Sequence, residues 1–369
     1  MHQPQGQEMR NVSEEAVAWA YRLILGRDPE NAEVVQDHIQ QVHSLSELRQ
    51  RFLQSSEFIE QFNNAPRERK SGMEPPCQVQ VAVTDDTRAR LLEHIARSWT
   101  RLGETEPYWS VLSEPEYVME RIGESLEGFL QSGKEQIDRL QATLRRCGID
   151  PDPRWEVFEL GCGLGRITRW LARDYRRVEA WDISPAHLAL ARQINSGAPG
   201  IEHVVWRQLR EIEDIDNVEP FDLFFSVIVL QHNPPPVIAL LLEKIAAKLK
   251  PNGIAFFQVP TYHRDYFFQS DKYFKLRADT QEIEMHVLPQ AYVFDIFARN
   301  GCVPLEVFED EMSGSRATQR SNTFVFRKIT AGLVSGVDGA RSRATIPADF
   351  NNPRTFLSRV RRRLGSLKP

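Results

Sequence analysis

The sequence is short of the features that mark several protein classes. Its four cysteines, Cys77, Cys147, Cys162 and Cys302, are scattered, with no C-x-x-C pair. That argues against a disulfide framework and a cysteine-based zinc site, and it fits a reducing compartment. No metal-ligand pattern is recognised. No apolar run approaches the roughly 18 residues that span a bilayer. The opening Met1-His2-Gln3-Pro4-Gln5-Gly6-Gln7 is polar and lacks the apolar stretch of a secretory signal, so a cytoplasmic protein is expected. There is no internal repeat and no long low-complexity tract. Charge of neither sign dominates: 46 basic against 51 acidic residues leave −5, a balance that argues against general nucleic-acid binding.

What is present is an average globular composition in a chain of 369 residues, enough for two to three domains with a sizeable core. From Ser13 to Phe62 the pattern is helical, with Ala16, Ala20, Leu23 and Ile24 on one expected face and Gly26-Arg27-Asp28-Pro29 as a stop. Ser44 to Glu47 reads as a capping box for a second helix, with Leu48, Phe52 and Leu53 on one face. The expected organisation is a helical module over 13–63, a linker over 64–84, a helical extension over 85–150, an α/β domain over 151–330 and a basic tail over 331–369. In the extension, Ser113-Glu-Pro-Glu116 predicts a helix start. From Trp155 onward short apolar runs alternate with helical stretches, which predicts a parallel sheet with helices on both faces.

Within that domain, Val157-Phe158-Glu159-Leu160 runs into Gly161-Cys162-Gly163-Leu164-Gly165-Arg166. A buried strand thus meets a glycine turn that opens a helix, where the backbone can approach a ligand closely. Asp182 ends the next strand, where a carboxylate can accept two ribose hydroxyls. Arg166 occupies the third-glycine position of the dinucleotide fingerprint, which disfavours a nicotinamide-dependent oxidoreductase.

The E-x-G-x-G-x-G pattern resembles motif I of the class I S-adenosylmethionine-dependent methyltransferases. Asp182, the run Phe221 to Ser226 and the turn Leu249-Lys250-Pro251-Asn252-Gly253 continue the resemblance over roughly 150–330. It implies a doubly wound, seven-stranded, Rossmann-like sheet with a reversed last strand, and S-adenosyl-L-methionine as cofactor. Glu159, with the backbone of Gly161, Cys162, Gly163 and Gly165, would hold the methionyl part. Asp182 and Ile183 would take the ribose and one adenine face. Gln208 and Leu209 would lie near the adenine, and Val227, after the fourth strand, would line the same pocket.

The loop Val229-Leu230-Gln231-His232-Asn233-Pro234-Pro235-Pro236 follows that fourth strand. Its Asn-Pro-Pro lacks the aromatic residue of amino-group DNA methyltransferases, and the loop more closely resembles the Leu-Gln-His variant of bacterial methyltransferases of small molecules and glycans. His232 is the candidate general base, since histidine titrates near neutral pH; a histidine that only braces the loop is the other reading. An aromatic and charged segment follows the fifth strand, with Tyr262, His263, Arg264 and, beyond it, His286 as candidate acceptor contacts. It reads either as an acceptor lid or as a packing flap. Trp99, Tyr108 and Trp109 either close the pocket or are core.

Tyr21 to Pro29 with Phe52 to Phe58 resembles a small helical domain found in bacterial surface-layer and polysaccharide-associated proteins, which implies a glycan setting and no chemistry. From Arg341 onward eight basic residues face one acid, a local +7. Such a tail can lie on an anionic membrane surface or remain a solubilising appendage. The expected function is O-methylation of a small molecule or glycan. The alternative is a non-catalytic cofactor-binding or scaffold protein of polysaccharide biosynthesis.

Overall fold

The computed structural model describes residues 12–58, 74–277, 283–310, 312–313 and 319–329. The basic tail and the 64–73 part of the expected linker lie outside the described residues. The chain divides into two compact units at Ser71/Gly72.

In the first unit, Ser13 caps helix α1 (Glu14–Ala20) by accepting the Ala16 N–H, and a π-turn over Tyr21–Leu25 ends at Gly26 with φ +69°. Asn31 caps α2 (Ala32–Gln41), and Ser44 caps α3 (Leu45–Leu53). The Glu47 carboxylate reaches back to the His43 N–H, one residue beyond the usual reciprocal partner, the N–H of the cap residue Ser44. The expected inner face is corrected here. Val17, Tyr21 and Leu25 are buried with Val35, Leu48 and Phe52, and Ala16, Ala20 and Ile24 pack half-buried against them, whereas Leu23 is 77% exposed. Three large side chains at i, i+4 and i+8 bury more apolar area than a face containing two alanines.

The second unit holds a seven-stranded sheet in the order β4-β3-β2-β5-β6-β9-β8. Its strands are β2 (Glu156–Leu160), β3 (Arg177–Asp182), β4 (Val204–Gln208), β5 (Phe221–Ser226), β6 (Leu249–His263), β8 (Cys302–Asp310) and β9 (Gln319–Lys328). Strand β9 runs antiparallel to both neighbours, while β2 to β6 are parallel. This is the doubly wound, Rossmann-like sheet with a reversed last strand. Alternate residues feed two cores. Phe158, Phe224, Phe257 and Phe324 pack with the helices at Asp85–Thr105, Pro235–Lys248 and Gln290–Arg299. Val157, Phe225, Phe256 and Val325 pack with those at Ile122–Arg146, Thr168–Asp174 and Pro185–Ile194. Burial on both faces explains why these strands read as continuous apolar runs.

Two expectations about connections are corrected. Residues 74–84 do not act as a free linker, because β1 (Gln78–Val79) pairs with β7 (Phe267–Phe268). Ser113 to Glu116 opens a 3₁₀ turn at Pro115–Tyr117, and the long helix starts at Ile122. That turn sets Tyr117 edge-on against Phe129 at 5.3 Å, a tertiary contact that outweighs the local signal. The fourth strand ends at Ser226, and Ile228 then turns the chain with φ +61°. Among the described residues no helix is long and apolar enough to cross a membrane.

The long helix meets the glycine turn at Gly133, where an added Cβ would lie 2.0 Å from the Arg166 carbonyl oxygen. Gly128, on the same helix, has nothing within 4 Å. Gly133→Ala should therefore cost roughly 2 kcal/mol or more by overpacking. Gly128→Ala should stabilise by about 0.5–1 kcal/mol through helix propensity. Urea melts of the two variants give opposite signs if the contact is as tight as described.

Candidate functional site

The chain winds from β2 to β3 and β4 on one side and returns through β5 on the other. The crevice at the carboxyl ends of β2 and β5 is where ligands bind in open α/β sheets. A cleft lies there, with about 850 Å³ of free space counted together with its open mouth. Its floor is the glycine turn. The N–H groups of Gly161 and Cys162 donate to the Trp181 carbonyl at 2.7 and 3.1 Å, and the Gly163 N–H donates to Asp182 Oδ2 at 2.7 Å. Oδ1 of Asp182 accepts the Ser184 N–H at 2.8 Å. Gly161 has φ +75°, and a Cβ there would lie 2.2 Å from Val229, so the turn and the β5 loop approach each other in a way only glycine allows.

Of the expected site residues, Glu159, Gly161, Cys162, Gly163, Asp182, Ile183, Leu209, Val227 and His232 line the cleft. The remaining ones do not line it. Gly165 faces Trp206 and Asn195 instead, so its glycine serves packing. Gln208 turns outward beside Trp206 and Arg210, and its amide donates to the Ile183 carbonyl at 3.3 Å; it steadies Ile183 rather than meeting the cleft.

The aromatic segment is also not where a lid would be. Strand β6 continues to His263 and, past a register shift between Pro260 and Tyr262, pairs with β9 as far as His263 opposite Gln319. Tyr262, His263 and Arg264 are thereby carried past the cleft; the Tyr262 hydroxyl meets the Pro75 carbonyl at 3.4 Å. His286 is buried outside the cleft, between the Tyr266 hydroxyl and Glu284, each at 2.8 Å. Of the three aromatic residues in the helical extension, Trp99 lines the cleft, while Tyr108 packs edge-on against Phe129.

Several lining residues carried no sequence signal. Ile95, Ser110 and Val111 arrive from the helical extension, and His187 from the helix after Asp182. The nearest motif to Ile95, Ser110 and Val111 lies dozens of residues away, so only the packing of helices against the sheet brings them in, while His187 lies close after Asp182 but belongs to no motif. Thr168 could not have been read either, though its hydroxyl donates to Glu159 Oε2 at 2.6 Å.

The electrostatics follow from burial. Burial pushes the Glu159 carboxyl up to about 7, opposed by the Thr168 hydrogen bond and by Arg166. Burial pulls Arg166 down to about 10 and lowers His187. The Cys162 thiol is raised well above its usual value by burial and by two nearby carboxylates, so it is no nucleophile. Burial lowers His232 to about 4, and the ring is neutral at physiological pH.

The tautomer of His232 follows from its partners. Nδ1 lies 2.8 Å from the Glu284 carbonyl, which can only accept, so Nδ1 carries the proton. Nε2 then accepts from the Gln231 amide at 3.3 Å, while the Gln231 carbonyl accepts from Gln258 at 3.0 Å. Gln258 Oε1 in turn accepts the Ile228 N–H at 2.9 Å. Trp99 covers the ring, with centroids 5.1 Å apart. The Glu284 side chain is anchored by His94, His286 and Tyr273. Its burial, which alone would raise it, is outweighed by those hydrogen bonds, and the carboxyl lies at about 2.

The cleft fits an adenosyl-amino-acid cofactor on this structure's own evidence. A carboxylate stands at the end of β3, and a second ends β2. Buried His187 Nδ1 and Arg166 Nε at the cleft have no partner. A backbone turn too close for any Cβ forms the floor.

Residues 157–253 match the family described as "Methyltransferase domain". Curated relatives include the ubiquinone biosynthesis O-methyltransferase of Xylella fastidiosa, 33% identical over 102 residues, which are 27% of this chain and 39% of that protein. The enzyme of the same name from Xanthomonas euvesicatoria is 30% identical over 27% of this chain and 41% of its own length. The matched stretch thus spans about two fifths of these relatives. Among solved structures, the N-methyltransferase NodS from Bradyrhizobium japonicum aligns with TM-score 0.40 and 18% identity, over 64% of this chain and 98% of that one. Magnesium protoporphyrin IX methyltransferase from Synechocystis aligns with TM-score 0.44 and 15% identity, over 63% and 98%.

The neutral state of His232 has a consequence for stability. The unfolded chain takes up a proton near 6.5 that the folded ring refuses until about 4. Its contribution is present above pH 6.5 and is lost as pH falls toward 4, up to roughly 3 kcal/mol. Glu159 acts with the opposite sign: its contribution is present below about 4.5 and lost as pH rises through 7. Subtracting a His232→Asn variant isolates the histidine. The stability gap between wild type and variant in urea melts should shrink between pH 7 and 4.5, and a constant gap would mean that His232 takes up its proton alike in the folded and unfolded chain.

Proposed function

We propose that the chain is an S-adenosylmethionine-dependent methyltransferase that acts on an oxygen of a small, largely apolar acceptor. The observation that carries this reading is the glycine turn pinned to Asp182, within the stretch that matches a methyltransferase domain. The names of the curated relatives support oxygen and a small molecule. S-adenosylmethionine would supply a methyl group already activated on a sulfonium, so no protein nucleophile is required.

The chain's own part is to bind, orient and exclude water. The remaining lone pairs of Asp182 accept ribose hydroxyls. Ile183 and Leu209 flank the base, and Glu159 faces the amino group. Ile95, Trp99, Val111, Val229 and Leu241 give the rest of the cleft an apolar wall, which favours an apolar ring bearing one hydroxyl over a sugar with many. The glycan setting then rests on the resemblance of the N-terminal module. His232 orients the hydroxyl through Nε2, exchanging its long 3.3 Å contact with Gln231 for the acceptor. With a pKa near 4 it is a weak base, so removal of the proton coincides with attack rather than preceding it.

S-adenosylhomocysteine should bind and raise the melting temperature, and NAD should do neither. Asp182→Ala should weaken binding by about 1–3 kcal/mol. An ammonium beside Glu159 favours the ionised carboxylate, so affinity should rise from pH 5 to 7, and Glu159→Gln should flatten that slope. Calorimetry that finds NAD binding and no S-adenosylhomocysteine binding overturns the assignment. Cofactor binding with no labelled methyl reaching any compound in a cell extract would favour the non-catalytic alternative.

A peripheral role for the basic tail is a separate proposal that rests on its charge. Sedimentation with anionic vesicles at low salt should be lost on deleting 341–369, and an intact chain that ignores such vesicles removes it.

A further inference from the structure

His232 sits in a run of buried hydrogen bonds that has a direction. At one end the main-chain N–H of Ile228 donates to Gln258 Oε1 at 2.9 Å. Gln258 therefore turns its amide nitrogen to the Gln231 carbonyl at 3.0 Å and to Ser321 Oγ at 2.6 Å. Gln231 in turn presents its amide nitrogen to His232 Nε2 at 3.3 Å. At the other end His232 Nδ1 donates to the Glu284 carbonyl at 2.8 Å. The two ends agree on one tautomer but are not equal. The amide contact is long, and it is the one that an acceptor hydroxyl would displace. Once it is displaced, the Glu284 carbonyl is what keeps the proton on Nδ1 and the lone pair on Nε2.

That carbonyl is fixed through its own side chain. The segment behind the β5 loop is tied by its main chain at His286, whose N–H donates to the Gln231 carbonyl at 2.7 Å, and at Leu288, whose N–H donates to the Pro260 carbonyl at 3.0 Å. Glu284 lies upstream of both ties, and its side chain is 6% exposed. Oε1 accepts from His94 Nε2 at 3.2 Å, and Oε2 accepts from the Tyr273 hydroxyl and from His286 Nε2, each at 2.8 Å. The Tyr266 hydroxyl meets His286 from behind at 2.8 Å. His94 belongs to the helix that carries Ile95 and Trp99 into the cleft, and Tyr273 to a helix at Ser270–Arg277. Stretches of chain far apart in sequence thus converge on one carboxylate, yet neither Glu284 nor these donors line the cleft. We propose that Glu284 is the positioning residue of His232: its clamped carboxylate holds the carbonyl that keeps Nε2 open to an acceptor O–H. The part in the reaction rests on the proposed function; the tautomer does not. A carboxylate suits the place because it accepts from all three donors at once, whereas an amide would turn an N–H toward one of them.

Long-range proton–nitrogen spectra of the full chain with isotopically labelled histidine read the tautomer directly, and the His232 signals are identified by their loss in His232→Asn. Wild type at neutral pH should show a protonated Nδ1 and a bare Nε2, with or without S-adenosylhomocysteine. Glu284→Ala should replace that single pattern by a mixture of both tautomers and leave the affinity for S-adenosylhomocysteine unchanged. Glu284→Gln should give a milder mixture, and it stands in for the alanine variant if that one does not fold. With a monocyclic phenol as acceptor and labelled S-adenosylmethionine as donor, Glu284→Ala should cut kcat roughly 10- to 100-fold, the scale of losing a partner that orients a histidine. The same substitution in a His232→Asn background should bring no further loss. A wild-type ring protonated on Nε2, a Glu284→Ala variant that keeps the single pattern, or an equal loss of turnover in both backgrounds overturns the role of Glu284 and leaves the methyltransferase reading intact. Wild type that binds no S-adenosylhomocysteine overturns that reading, while the spectra still decide for or against Glu284.

Discussion

The carboxylate of Asp182 holds two pieces of chain at once. One oxygen accepts the Gly163 N–H and the other the Ser184 N–H, while the preceding carbonyl, of Trp181, takes the N–H groups of Gly161 and Cys162. The glycine turn is therefore fastened to the end of β3 rather than left as a loop. Fixed there, it presents its backbone to the cleft and leaves Glu159 at the end of β2. The following residues can then pack under the long helix. These bonds lie in a buried, low-dielectric place, where charge-assisted hydrogen bonds are strong and unmade ones costly.

The opposite wall depends on a second buried network. Ile228 adopts φ +61°, a strained conformation for a β-branched residue, and such strain tends to occur at functional sites. Its N–H is held by Gln258, which also reaches Gln231 and Ser321. Gln231 meets His232, and His232 meets the Glu284 carbonyl. Every member has a partner, and such networks rigidify a loop rather than weaken a core. The backbone N–H of His286 adds a bond to the Gln231 carbonyl at 2.7 Å, so the segment from Glu284 to Leu288 acts as a brace behind the β5 loop. Tyr266, Tyr273 and His286 serve that brace through their bonds to one another and to Glu284.

The cleft concentrates charge where the surroundings are apolar. Glu159, Asp182, Arg166 and His232 are all buried, and burial is the first cause of the shifts in Glu159, Arg166 and His232. A ligand carrying both signs would complete this arrangement, because its charges could pair with groups now held apart from water. An uncharged ligand could not.

The sequence by itself determined the sheet, the glycine turn and the acid at the end of β3. Those features come from local pattern: apolar runs of strand length, glycines at positive φ, and a fixed distance from Gly161 to Asp182. Ser13 and Ser44 were legible for the same reason, since capping is chemistry over three or four residues. Tertiary structure decided what local pattern cannot carry. It buried Val17, Tyr21 and Leu25 more deeply than the alanine face beside them and left Leu23 exposed. It kept Tyr262 and His263 in an extended strand pairing with Arg264 in the turn that follows, and it took Gln208 and Gly165 out of the cleft. It brought Ile95, Trp99, Ser110, Val111 and His187 in from distant helices. The fate of His232 and Arg166 shows the reason most directly. A residue's type fixes which protons it can give or take, but burial and partners fix whether it does. The histidine is held neutral and braced, and the arginine is held charged and unpaired, by neighbours that lie far away along the chain.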